Sequence, residues 1–228
     1  SLTLSTGGTF TGLTATMVGT GTITPNGKSI AALTINHSGT TTLAGALSTV
    51  VTATTTLTSG TLDLAGFTLT TGVFSSNNSN TRSINFGSGN IATVTTTANL
   101  ANLTMQTATG FTCTGTGGFT STADINRTFY FGTTGGGSST NAPNITLSGS
   151  GSGVLTLATG SWFNKVDFGN TVFTAPAAAL NINSMVLSAG GSYTAINMNF
   201  VGTGTFTPNG QAIGALTINH SGTTTAAG

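Results

Sequence analysis

A long internal repeat constrains the fold more than any other feature of the sequence. Residues 184–228 repeat residues 1–45 without a gap at a constant offset of 183, and 29 of the 45 positions are identical. A closed sandwich or barrel cannot resume its opening strands at its far end without starting a second domain, whereas each coil of a solenoid contacts only its neighbours. The sequence therefore predicts one continuous β-solenoid over residues 1–228, with 1–45 and 184–228 as equivalent copies of a 183-residue long-period repeat.

Apolar and polar residues alternate along the chain with the period of a β-strand. The segment "TLTSGTLDLAGFTLTTG" at 56–72 places leucine or phenylalanine between polar residues, and glycines interrupt it. Thr, Val, Ile and Phe favour a pleated surface, while Gly and Asn tolerate corners. No stretch has the 3.6-residue period that would indicate a helix. We expect an all-β, parallel β-helix with three faces and roughly 20–23 residues per coil, so that one long repeat would hold a whole number of about eight or nine coils.

The inward positions of this pattern define a predicted core. Side chains at alternate positions of a strand point to the same face of the sheet. We expect one continuous core that includes Leu33, Ile35, Leu62, Leu64, Phe67, Leu69, Phe111, Leu155 and Leu157. Cys113 lies two residues from Phe111 on the same side of its predicted strand, so we interpret it as a small buried hydrophobe and not as a catalytic thiol.

Charged side chains are almost absent. They make up 3% of the chain, and glutamate does not occur, whereas an ordinary soluble domain carries roughly 25%. A net charge of +1 without a cluster of Lys or Arg gives no electrostatic footprint for nucleic acid. The sequence has no run of 18 or more apolar residues, so it does not predict a membrane-spanning helix. The 53 threonines and the low net charge favour sheet over disorder, because disorder pairs low hydrophobicity with high net charge.

The motif "TPNG" occurs in both copies, at 24–27 and 207–210. Proline suits the second position of a tight turn, and Asn and Gly accept the positive φ that follows, so we expect a corner. The surrounding "GTITPNGKS" at 21–29 approaches a phosphate-binding P-loop, but Thr22 stands where that motif requires glycine. The second copy has "GQA" in place of "GKS", and a turn is therefore the favoured interpretation.

The motif "NHSG" also repeats, with His37 in the first copy and His220 in the second. His37 adjoins Ser38, but neighbouring residues of a strand point to opposite faces, and no carboxylate lies nearby in sequence to orient the imidazole. We therefore expect a corner at which Asn and His side chains form hydrogen bonds to exposed backbone. The alternative is a metal ion that the repeated histidine binds between chains.

The three carboxylates of the chain, Asp63, Asp124 and Asp167, are scattered. Catalytic polysaccharide-processing sites rely on clustered acids and bases, and stacking across coils is the way in which these acids could still meet. Lys165 shares a face with Asp167, and Arg127 lies three residues after Asp124, so we interpret both as local ion pairs. We predict no enzymatic activity, no catalytic, cofactor-binding or metal-ligating residue, and no cofactor.

The units "SGTLDLAGFTLTTG" and "GTTTLAG" resemble the β-strand repeats of very large bacterial surface proteins. These include filamentous-haemagglutinin-like adhesins, autotransporter passengers and related extracellular fibres. The resemblance implies a right-handed parallel β-helix, secretion to the cell surface and a role in adhesion or matrix building. It assigns no functional residue.

Three classes of function stay open. We expect a non-enzymatic structural protein, a segment of an extracellular filament or adhesin stalk that extends by coil stacking, with itself as partner and surface glycans as a further partner. The rod would continue beyond both ends, covalently or by head-to-tail stacking, because neither "SLTLSTGG" nor "SGTTTAAG" carries a cap.

Two alternatives belong to other classes. The first is an ice-binding protein that uses Thr-x-Thr ladders on one flat face. The units that could form such ladders lie at 14–16, 20–24, 54–56, 68–70, 95–97, 112–114 and 203–207. The second alternative is a polysaccharide-processing β-helix enzyme or a phage tailspike.

Overall fold

The computed structural model describes eight stretches of the chain. They are residues 1–94, 100–122, 126–148, 154–169, 172–174, 180–189, 192–194 and 196–227. Among these residues the regular elements are strands, with no α-helix. None of the described segments is therefore a helix of the length and hydrophobicity needed to cross a membrane.

The strands are short and follow one another along the chain. In order they are β1 Leu2–Thr3, β2 Thr14–Met17, β3 Gly21–Thr24, β4 Ser29–Ile30, β5 Ala32–Leu43, β6 Leu47–Thr49, β7 Thr54–Asp63, β8 Leu69–Thr71, β9 Val73–Ser75, β10 Arg82–Asn85, β11 Asn90–Thr93, β12 Leu100–Thr107, β13 Phe111–Thr114, β14 Gly118–Thr122, β15 Arg127–Gly135, β16 Asn144–Ser148, β17 Val154–Leu157, β18 Trp162–Phe168, β19 Val172–Thr174, β20 Leu180–Val186, β21 Ser192–Thr194, β22 Met198–Phe200, β23 Gly204–Thr207, β24 Leu216–Ile218 and β25 Thr224–Ala226.

These strands stack as a parallel β-solenoid of about 9 turns with about 21 residues per coil, which confirms the predicted fold class. The pairings run through a 13-stranded sheet that contains β2 and β3 and a 12-stranded sheet that contains β22 and β23. Each coil hydrogen-bonds to the coils before and after it, so the backbone groups of inner strands are paired on both sides. The handedness that the resemblance implies stays a prediction.

The coils are not all the same size. Thr61 and Ser83, which are hydrogen-bonded neighbours in successive coils, lie 22 residues apart. The next pair along this face, Asn85 and Thr114, is 29 residues apart, and near the end of the chain Ser184 and Thr205 are again 21 residues apart. The middle coils therefore contain more residues than the coils near either end.

The core runs through the solenoid as predicted, with one correction. Of the nine predicted inward side chains, seven are buried, namely Leu33, Ile35, Leu62, Leu64, Leu69, Phe111 and Leu157. The side chain of Leu155 lies outside the description. Phe67 is 40% exposed, and its prediction as a core residue is wrong. Ala65 and Gly66 have positive φ, and the N–H of Phe67 donates to the carbonyl of Leu64, so a turn interrupts the alternation and leaves Phe67 at a corner.

Buried phenylalanines are concentrated in the longer middle coils. Phe111 and Phe131 meet edge to face with ring centroids 5.5 Å apart, and Phe131 also contacts Phe163 across the next coil. Phe119 meets Phe86 edge to face at 5.5 Å and contacts Phe74 in a tilted arrangement at 5.4 Å. Aromatic side chains bury a large area and gain from edge-to-face contact, so these rings form the core of the middle coils.

A buried arginine stabilises the loop between β9 and β10. Arg82 is 1% exposed, and its guanidinium lies 5.7 Å from the ring centroid of Phe111. It donates five hydrogen bonds, to the hydroxyl of Ser76 and to the carbonyls of Ser76, Asn80, Thr107 and Thr109. Desolvation lowers its pKa. All five N–H groups of the guanidinium are used, so Arg82 joins two coils through their backbones.

A second arginine repeats this role in another coil. Arg127 is 5% exposed, and its Nη1 donates to the carbonyl of Thr93 and to the hydroxyl of Ser121, both at 2.8 Å. Ser121 precedes Arg127 by six residues, and Ser76 precedes Arg82 by the same number. The predicted ion pair of Arg127 with Asp124 stays a prediction, because Asp124 lies outside the described residues.

The two copies of the long repeat pair their strands in the same register. In the first copy β3 pairs with β5 so that Gly21 faces Thr41. In the second copy β23 pairs with β25 so that Gly204 faces Thr224. The other strand pairs of the two copies correspond in the same way. That they are copies of one repeat stays a prediction, which these registers support.

Equivalent strands of the two copies lie in different sheets. Ile23 of β3 faces Leu43 in the 13-stranded sheet. Its equivalent, Phe206 of β23, faces Met185 in the 12-stranded sheet. The expectation that the copies are separated by a whole number of coils is therefore wrong. The longer middle coils add residues, so an offset of 183 residues does not return a strand to the sheet in which its equivalent lies.

Candidate functional site

The "TPNG" segment forms the corner that the sequence predicts. Asn26 and Gly27 have φ values of 50° and 71°, and the N–H of Lys28 donates to the carbonyl of Pro25. The Asn26 amide donates to the carbonyl of Leu4 in the preceding coil at 2.8 Å. In the second copy the amide of Asn209 does the same to the carbonyl of Leu187. The segment is a turn that joins two coils, and the P-loop interpretation has no support.

His37 organises the corner after Asn36. The N–H of Gly39 donates to its Nδ1 at 3.0 Å, so Nε2 carries the proton and donates to the hydroxyl of Thr41 at 2.8 Å. Both ring nitrogens are therefore occupied within the corner, and neither contacts Ser38. The prediction of a side-chain hydrogen bond to backbone is confirmed for His37, whereas the amide oxygen of Asn36 accepts from the hydroxyl of Ser59 instead.

The described acidic side chains lie in separate places. Asp63 in β7 accepts hydrogen bonds from the N–H of Ala65 and from the amide of Asn85. Asp167 in β18 forms an ion pair with Lys165 at 3.0 Å, as predicted. Asp124 lies outside the described residues. Within the described part of the chain, no group of three His, Cys, Asp or Glu side chains could hold a metal ion.

Cys113 lies in β13 with its thiol turned towards the next coil. The thiol donates a weak hydrogen bond to the carbonyl of Asn141. Desolvation by burial raises the pKa of Cys113 to about 11, and a thiol that stays protonated is a poor nucleophile. The side chain packs against the core while keeping partial exposure, so it is less buried than the sequence analysis predicted.

A polar groove lies at the corner where β5 and β7 bend, beside the start of β10. Its volume is about 560 Å³. We call it the corner groove, and it is lined by Asn36, His37, Ser38, Ser59, Gly60, Thr61, Asn80, Thr81, Arg82, Ser83 and Thr112. These residues come from four successive coils. The groove was not predicted from the sequence, because the residues that line it are distant from one another along the chain.

Unequal corners of successive coils form the groove. In β5 three residues separate Asn36 from Thr40, whereas in the paired β7 only Gly60 separates Ser59 from Thr61. The longer corner projects as one wall, and the loop that contains Asn80 forms the opposite wall. Gly60 has φ of 82°, and a Cβ at this position would collide with the carbonyl of His37. The tight glycine corner is therefore the floor.

Outward polar side chains form columns along the 13-stranded sheet. The register places Thr22, Thr42, Asp63, Asn85 and Thr114 in one column. The Thr-x-Thr units do not share one face: those at 54–56 and 112–114 lie in the 13-stranded sheet, whereas 203–207 reaches the 12-stranded sheet. The unit at 95–97 lies outside the described residues.

Comparisons with known proteins identify no relative. No protein-family model matches the chain, and no match was found among curated proteins or solved structures. The case for a function therefore comes from the fold and from the surfaces described above.

Proposed function

We propose that this chain is a non-enzymatic structural protein, a segment of an extracellular filament or adhesin stalk that extends by stacking β-coils. The observation that carries the proposal is the shared register of the two copies. The same strand interface, with Gly21 facing Thr41 and Gly204 facing Thr224, is used twice. Each coil of a solenoid contacts only its nearest neighbours, so a coil interface that can be used again allows the solenoid to lengthen.

The surface chemistry also supports this role. Lys165 and Asp167 neutralise each other in an ion pair, and Arg82 and Arg127 are buried. Rod surfaces without a large net charge lack the long-range repulsion that would oppose close association. The partners of such a rod are further coils of the same kind, and in an adhesin stalk also the glycans of a neighbouring surface. The place of action is the outside of the cell.

Electron microscopy of the native material and the mass of its denatured chain test the proposal. We expect filaments whose denatured chain is much larger than the 22.4 kDa of these 228 residues. Filaments built from chains of only this mass would instead mean that separate subunits stack. Discrete particles that do not lengthen with concentration would contradict both forms of the proposal.

Ice binding is the second candidate, and the columns on the 13-stranded sheet favour it. Thr40, Thr61, Ser83 and Thr112 form a second column beside the first, with coils about 4.8 Å apart. Against this candidate, Asp63 and Asn85 interrupt the threonines. Thermal hysteresis decides between the two: a clear freezing-point gap that Thr42→Lys abolishes would favour ice binding over the filament.

A further inference from the structure

We propose that the corner groove is a binding site for a neutral oligosaccharide. The volume of about 560 Å³ lies within the range of roughly 300–1,000 Å³ that is usual for small-molecule sites. The groove crosses several coils, so a linear chain of a few sugar units can lie along it. The site would give the glycan partner of the proposed adhesin stalk a place to bind, but it does not depend on filament formation, because the groove is complete within one chain.

The groove offers hydrogen-bonding groups of the kind that sugars need. Asn36, Ser38, Asn80, Thr81 and Thr112 are all exposed there. Among the described residues, the hydroxyls of Ser38, Thr81 and Thr112 make no side-chain hydrogen bond within the protein. A hydroxyl both donates and accepts, and a carboxamide does so through separate atoms. Such groups match the hydroxyls of a sugar, each of which is also both donor and acceptor.

The charge distribution selects a neutral ligand. Arg82 is the charged side chain of the groove, and no carboxylate lines it. The guanidinium is 1% exposed, and its five N–H groups are all donated to Ser76, Asn80, Thr107 and Thr109. It has no N–H left for a bidentate bond to a carboxylate or sulfate. An acidic sugar would therefore lose hydration without gaining an ion pair.

Internal hydrogen bonds hold the groove open before any ligand binds. The hydroxyl of Ser59 donates to the Asn36 amide oxygen at 3.1 Å, and the amide of Asn80 donates to the carbonyl of Thr58 at 3.0 Å. Gly39 is fixed to His37. Because the walls are already ordered, a ligand does not have to supply the cost of ordering them.

Saturation-transfer NMR and calorimetry with defined tetrasaccharides test the site. The panel contains the neutral maltotetraose, cellotetraose and mannotetraose and, as the acidic counterpart, tetragalacturonate. The test variant is Ser38→Trp, which fills the groove from one wall. The matched control is Ser221→Trp, because Ser221 follows His220 in the same local turn but does not line the corner groove. Both positions are exposed, so both variants should fold, and their melting temperatures check this.

We expect at least one neutral tetrasaccharide to bind, with an affinity that Ser38→Trp lowers by about tenfold or more and that Ser221→Trp leaves unchanged. Binding should be insensitive to salt, because no ion pair is formed. Absence of a signal with every neutral tetrasaccharide would overturn the proposal, as would binding that Ser38→Trp leaves intact or that only tetragalacturonate shows. Any of these results would leave the filament proposal unchanged.

Discussion

His37 and His220 make the same two hydrogen bonds in the two copies of the long repeat. In each, Nδ1 accepts from the N–H of a glycine two residues on at 3.0 Å, and Nε2 donates to a threonine hydroxyl at 2.8 Å. The surroundings differ, because the hydroxyl partner of His37 is the fully buried Thr41, whereas Thr224 is partly exposed. The same hydrogen-bonded corner therefore occurs once with a buried threonine partner and once with a partly exposed one.

Replacing each histidine by alanine measures that difference. We expect His37→Ala to lower the free energy of unfolding by about 1–3 kcal/mol, because the Thr41 hydroxyl is left buried without a partner. His220→Ala should cost less, since water can reach the Thr224 hydroxyl. Urea unfolding of both variants checks this. Equal losses would mean that the burial of Thr41 does not matter.

Arg82→Lys should destabilise the solenoid strongly. A lysine ammonium carries three donors in place of five and cannot reach the carbonyls of Asn80, Thr107 and Thr109 together. The carbonyl of Ser76 is buried and the other three are partly buried, so with several of them unpaired we expect a loss of about 3 kcal/mol or more. Lys28→Ala is the control, at a partly exposed corner, and should change stability by less than about 0.5 kcal/mol. Denaturant unfolding gives both values, and comparable effects would contradict the role assigned to Arg82.

The substitutions Leu64→Asp and Phe67→Asp test the corrected core assignment. Leu64 is 0% and Phe67 40% exposed. An unpaired carboxylate at position 64 should cost several kcal/mol, on the order of the penalty for burying an unpaired polar group or more. The same change at position 67 should be tolerated. If Leu64→Asp melts like the parent protein, the inward assignment is wrong.

Cys113 should react slowly and weaken the fold at high pH. Burial raises its pKa from 9.0 to about 11, which lowers its thiolate fraction at pH 8 by about 100-fold, and alkylation should slow accordingly. As the pH rises, the thiol ionises in the unfolded chain, near pH 9.0, before it ionises in the folded protein, near pH 11. The stability that comes from keeping the buried thiol neutral is therefore fully present below pH 9.0 and is lost as the pH rises through about 11. Cys113→Ala should remove that part of the alkaline loss in melting experiments. Identical pH profiles would contradict the raised pKa.

The acidic side chains should be dispensable. Replacing Asp63, Asp124 and Asp167 together by asparagine removes every carboxylate side chain of the chain. We expect the triple variant to keep its fold and its assembly state, judged by circular dichroism and electron microscopy. A hydrolase or lyase activity on polysaccharides that the parent shows and the variant lacks would contradict the structural function.

Much of the fold could be predicted because solenoid strands obey short-range rules. Alternation identified inward residues such as Leu33 and Leu157, and "TPNG" identified a corner. Phe67 was missed because a turn through Ala65 and Gly66 resets the alternation, which periodicity alone does not reveal. The burial of Arg82 was missed for a different reason: its partners at Thr107 and Thr109 belong to the next coil.

The corner groove could not be derived from the sequence, for a similar physical reason. It depends on the difference in corner length between β5 and β7, and that difference becomes visible only when Asn36 is paired with Ser59 and Thr40 with Thr61. The sequence does contain one sign of it. The run "SSNNSN" at 75–80 is polar without alternation, which is typical of a loop that carries binding side chains.

The displacement of β23 into the other sheet has a consequence for how the rod presents its surface. Viewed along the axis of the solenoid, the "TPNG" corner that follows β3 and the one that follows β23 point to different sides. A repeat of whole turns would line up such corners in a single row on one side. In this chain each step of the long repeat also rotates the corner about the solenoid axis. Identical corners therefore lie on different sides of the solenoid, and a flat partner surface would contact one of them at a time.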